Sequence, residues 1–170
     1  MKKPLAMTSI VLILAISAWL LFDYFSNSGA FTLGSHSSAS QELLDQTSPI
    51  YLGYEMQWEG TGTPTLERIE LIKRDGTIAD TDQAAAFIAT KGKIGMLGEQ
   101  AVEKEELVEV NGFQPENDIH LVIRVDKTKG FAENDIKEMR IIYKKYGVTQ
   151  YQDLSFGEGI VTDEAAERMK

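Results

Sequence analysis

The sequence predicts an N-terminal transmembrane helix followed by a mainly-β extracytoplasmic domain, folded as an antiparallel immunoglobulin-like β-sandwich. Three observations lead there: an uncharged apolar run over residues 4–22, clear period-2 alternations over residues 50–58 and 118–126, and seven or eight short strand-like segments within about 110 residues. A small α+β domain is the alternative, because Ala84, Ala85, Ala86, Phe87 and Ile88 read equally as a short helix or a loop.

The apolar run comes first. Nineteen residues at ~1.5 Å of rise span roughly 28 Å, close to the hydrocarbon thickness of a bilayer. Lys2 and Lys3 precede it, Trp19, Phe22, Tyr24 and Phe25 crowd its far end, and the first charge beyond is Asp23. Basic residues favour the cytoplasmic side and amphipathic rings the lipid–headgroup boundary. Residues 1–3 are therefore expected in the cytoplasm, residues 4–22 as a signal-anchor, and the rest across the membrane. A cleaved signal peptide is the competing reading, with Ser28, Gly29 and Ala30 supplying small residues for cleavage after Ala30; the apolar run, however, is longer than the h-region of such peptides. Both readings export the domain.

Serines and glycines dominate residues 26–40, which with the neighbouring residues predicts a stalk over 23–48. A short helical turn over 41–46, capped by Ser40, would close it. The domain is then expected over 49–157. Ile50, Leu52, Tyr54, Met56 and Trp58 mark one face of its first strand. Gly60 to Pro64 break the run, residues 66–73 resume it, and Asp75-Gly76 predicts a tight turn into residues 77–79. Short strands are expected at 93–97 and 106–110. Ile119, Leu121, Ile123 and Val125 mark the second clear strand, with His120, Val122 and Arg124 on its other face. Residues 136–144 and 149–156, joined at Lys145-Tyr146-Gly147, form a terminal hairpin. Residues 158–170 read as a flexible tail.

Chemistry-bearing motifs are sparse. There is no cysteine, and the two histidines, His36 and His120, cannot build a multi-imidazole zinc site. No Gly-x-Ser-x-Gly elbow and no phosphate-cradling glycine loop appears. Asp75, Asp80 and Asp82 could offer oxygens to calcium, but their spacing does not follow the EF-hand; Glu116, Asn117 and Asp118 make a second acidic group. No catalytic residue, cofactor or metal is therefore assigned. Of 17 basic residues two precede the helix, which leaves 15 against 26 acidic ones and a net charge of −11 beyond it. Such a surface repels nucleic acid phosphates and anionic lipid headgroups and excludes nucleic acid as a partner. Lys137, Arg140, Lys144 and Lys145 run against that sign and are the candidate partner-binding residues. The reading that follows is a non-enzymatic binding domain anchored in the lipid bilayer and facing an envelope or membrane protein partner. An accessory or regulatory subunit of a membrane assembly is the alternative.

Overall fold

The computed structural model describes residues 2–92, 94–102, 107–116, 118–129 and 135–162. The chain opens with α1 (Lys2–Asn27), which contains a 21-residue stretch, Met7–Asn27, long and apolar enough to span a membrane. Its side chains from position 7 to 25 all stand exposed, Trp19 and Tyr24 by about two thirds. The helix thus gives none of this apolar surface to the domain. It also runs one turn past Phe22, where Asn27 Nδ2 donates to Asp23 Oδ1 at 3.0 Å.

The elements that follow are β1 (Ala30–His36), β2 (Ala39–Ser40), α2 (Gln41–Gln46), β3 (Ile50–Glu59), β4 (Thr65–Lys73), β5 (Ala84–Ala89), β6 (Met96–Gly98), β7 (Leu107–Glu109), β8 (Asp118–Val125), β9 (Ile136–Lys145), β10 (Val148–Ser155) and β11 (Val161–Thr162). One antiparallel sheet runs β1-β3-β8-β5-β7, with β6 also paired to β3; a second runs β10-β9-β4. The two form a mainly-β domain around a common core. Leu52, Tyr54, Met56, Leu121 and Ile123 of the first sheet and Leu66, Leu71, Met139, Ile141 and Tyr143 of the second belong to one buried apolar cluster.

Alternation explains these strands. In β3 and β8 the residues expected inward are buried to 2% exposure or less, apart from Trp58, which is half-buried against the core. The opposite face is not simply solvated, because Tyr51 and Val122 sit beneath a second, smaller cluster made with Ala89 and Val102 and flanked by Phe87, Ile94, Leu97 and Leu107. At Gly53 the edge of β3 changes partner: its carbonyl accepts from Ser37 N–H at 3.2 Å and its N–H donates to Gly95 O at 2.9 Å. A β-carbon there would overlap the Ile94 carbonyl, so glycine is what lets the chain cross so close.

Three segments differ from the sequence expectation. Within the expected stalk, Ala30–His36 is a strand paired with β3, and Phe31 is 1% exposed, its ring 4.9 Å from that of Trp58 and 5.1 Å from that of Tyr143. The alternation of Phe31, Thr32 and Leu33 was diluted by the serines around it. The expected helical turn is present as α2, with Ser40 Oγ accepting from Leu43 N at 3.2 Å. Residues 84–89, ambiguous in sequence, form a strand whose alanines pair with Val125, Arg124 and Ile123. In the expected tail, Ile160 is buried and β11 pairs in parallel with β2; residues 163–170 lie outside the described residues.

Candidate functional site at the helix–domain junction

A helix ends with carbonyls that have no partner of their own and with a partial negative charge, and α1 has no basic residue in its last turn to meet them. The β9–β10 hairpin supplies the donors instead. Gln150 Nε2 donates to Ser26 O at 2.5 Å and to Asn27 Oδ1 at 3.3 Å, while its own Oε1 accepts from Tyr143 Oη at 3.0 Å. Lys145 Nζ donates to Ser28 O and lies 3.4 Å from Ser28 Oγ. Thr61, in the loop between β3 and β4, shares a 3.0 Å hydrogen bond with Ser28 Oγ. The loop 33 positions along the chain and the hairpin 117 to 124 positions along thereby close together on the end of α1.

Lys145 is the unusual member, since at 1% exposure its side chain is buried. Its ammonium lies 5.1 Å from the Trp58 ring centroid and 5.6 Å from that of Tyr146, where ring faces attract a cation. Burial pushes its pKa below the usual lysine value. Trp58 is fixed in turn by Nε1 donating to Gly62 O at 2.9 Å. Gly29, at φ +111°, passes so close that a β-carbon on it would strike the indole. Beside this knot Gln152 closes the edge of β1: its Oε1 accepts from Phe31 N and its Nε2 donates to Phe31 O, both at 2.7 Å. One side-chain amide thus stands in for a neighbouring strand.

The four candidate partner-binding cations do not share an environment. Lys145 is engaged at the junction. Arg140 is held by Asp153 through Nε at 2.7 Å and Nη2 at 2.9 Å and lies over Tyr151; that pair raises the Arg140 pKa and lowers the Asp153 pKa. Lys137 sits exposed where the register of β9 against β4 shifts, and Lys144 is exposed at the junction end of β9, opposite Thr65. Sequence reasoning named Lys145 as a surface cation and passed over Gln150 and Gln152. The only trace of their role in the sequence is an amide at alternate positions of a terminal strand.

The remaining candidates are structural or dispersed. His120 is half-buried opposite Glu55 on β8 and lines a cavity of about 240 Å³ with Ser35, Ser37, Gly53, Tyr54 and Ile94. Asp75 Oδ1 accepts from Thr77 N at 2.9 Å and Thr77 Oγ1 at 2.7 Å within its own turn, and Asp80 and Asp82 are exposed. Asn117 lies outside the described residues. Among the described residues no group of three or more His, Asp or Glu side chains is placed to hold a metal ion. Asp126 and Asp135 bind the chain to itself. For Asp126 burial acts to raise the pKa, but hydrogen bonds from Thr128 and Ser48 and the Arg124 guanidinium outweigh it and hold the carboxyl below 3.8. For Asp135 burial prevails and pushes the carboxyl up, although Val161 and Ile160 N–H and Arg74 contact it. Comparison of the chain with protein-family models, with curated proteins and with solved structures finds no match.

Proposed function

We propose that this chain is a single-pass membrane protein whose extracytoplasmic domain is a non-enzymatic binding module, displayed at the membrane surface for a protein partner of the envelope or membrane. One observation carries the reading: α1 keeps its apolar side chains outside the domain while its last turn is gripped by that domain. A helix of that length and composition buries its surface in lipid. Lys2 and Lys3 at one end and the aromatic cluster at the other favour an N-terminus in the cytoplasm. Retention of the anchor is favoured over cleavage after Ala30, because cleavage would remove Ser26 and Ser28 and leave the buried Lys145 ammonium without its carbonyl. An immunoglobulin-like sandwich is supported by strand order. β1-β3-β8-β5 matches A-B-E-D of the constant-type fold, and β4, β9 and β10 match C, F and G. A non-enzymatic role is supported by where the perturbed carboxylates go: Asp126 and Asp135 are occupied by backbone N–H groups, Asp153 by Arg140 and Asp45 by Lys127 and Gln41.

The grip on α1 favours one second reading, an accessory subunit of a membrane assembly. In that reading contacts made by the helix within the bilayer reach the domain without slack.

Because the chain has no cysteine, single substitutions report topology cleanly. Asp80→Cys, exposed in the domain, should react with a membrane-impermeant maleimide on intact cells, and Lys2→Cys should react only after permeabilisation. The protein should also stay with the membrane through an alkaline carbonate wash. Labelling in the reverse order, or release by carbonate, would refute the proposal. Replacing residues 5–22 by an unrelated apolar helix then separates the two readings: partner capture survives if the domain alone binds and is lost if the helix contributes.

A further inference from the structure

We infer that the β9–β10 turn and the loop over residues 60–64 form a foot that rests in the phospholipid headgroup layer, with Tyr146 and Val148 entering it. The inference depends on α1 spanning the membrane as proposed above. The argument starts from tether length. Ser26 and Ser28 lie within about 5 Å of Phe25 along the axis, at ~1.5 Å per residue. Each polar face of a bilayer is roughly 5–7 Å deep. If the aromatic end of α1 marks the edge of the hydrocarbon, the partners of Ser26 and Ser28 sit at headgroup depth. Those partners are Gln150, Lys145 and Thr61, and they belong to the domain.

The surface next to them has the right chemistry. Tyr146 is 52% exposed and Val148 36%, flanking Gly147 at the tip of the hairpin. Tyr146 is also the one non-glycine residue among those described with positive φ, at 50°, and its hydroxyl end lies against Gly62. An apolar ring with a polar tip suits the lipid–water boundary, and a valine beside it adds apolar contact. Thr61 and Thr63 flank Gly62, against which the Tyr146 hydroxyl lies, and Lys144 is exposed two positions before Tyr146, giving hydroxyls and one ammonium for phosphate oxygens. The occupant is lipid rather than a protein, because a domain gripped at the exit of its helix leaves no room beneath it for a folded partner.

Full-length protein carrying Val148→Cys, labelled with an environment-sensitive fluorophore, should be reconstituted into phosphatidylcholine vesicles with and without lipids spin-labelled at the headgroup. Asp80→Cys serves as the distant site and Ile13→Cys as the reference within the span. The label at 148 should shift to the blue and be quenched by headgroup spins, while the label at 80 shows neither change. If the label at 13 is quenched by spins deep in the chains but the label at 148 behaves like that at 80, the helix spans and the foot does not exist. If the label at 13 is also unquenched, the membrane reading fails and takes this inference with it.

Discussion

Asp126 shows what a single carboxylate does for this domain. It is 5% exposed, and its Oδ1 accepts from Thr128 N, Thr128 Oγ1 and Ser48 Oγ at 3.0, 2.6 and 3.2 Å, while Oδ2 meets Arg124 at 3.0 Å. Ser48 Oγ in turn accepts from Lys127 N at 2.9 Å, so the end of β8 is tied to the start of β3. Its folded pKa lies below the ordinary 3.8. The stabilisation is therefore complete above pH 3.8 and is lost as pH falls through the lower, folded value. Asp126→Asn should cost about 1–3 kcal/mol near neutrality, with the difference from the parent closing on acidification, read by urea denaturation across pH. Asp135 has the opposite sign. Its raised pKa means that the folded state holds the proton more tightly, and this contribution fades as pH rises through the raised value. A variant gap that widened toward acid would show that Asp126 does not titrate as described. None of this was legible in sequence, where Asp126 is one acid among 26 and its partner Ser48 lies 78 positions away.

At the scale of elements, period decides what could be read. β3, β8 and the β9–β10 hairpin were visible because alternating apolar residues of strand length have no competing explanation. β5 was hidden, since a run of alanines carries no period, and only its pairing with β8 makes it a strand. β1 was hidden by its serine-rich surroundings. The junction itself was not legible: residues 23–48 read as a stalk, the hairpin tip and the aromatic end of the helix read as separate features, and Gln150 and Lys145 acquire their role only through contacts across 117 to 124 positions. Gly53 tests the crossing of β3 by the 94–95 chain. Gly53→Ala should destabilise the domain by about 1–3 kcal/mol, because the obstacle is a backbone carbonyl that cannot rotate away. Amide exchange at Met96 and Leu97 should speed up more than exchange in β9. Equal effects on both strands would mean that the crossing is not the site of the damage.

For the whole molecule, the folded unit is longer than the sequence suggests and begins before β1. A fragment starting at Ser40 would lack Phe31, whose loss from a core costs about 3–5 kcal/mol, and would expose the edge of β3 over residues 54–59. Such a fragment should aggregate or melt well below one that starts at Ser26, as circular dichroism and size-exclusion chromatography would show. Equal stability of the two fragments would place β1 outside the cooperative unit.

The grip of Gln150 and Lys145 on the end of α1 also changes how a partner would be met. A module on a slack leash tumbles, and binding must freeze that motion at a cost in rotational entropy. With α1 in a bilayer as proposed, the grip would meet part of that cost within the fold, and a neighbour in the same plane would encounter a face whose tilt is already set.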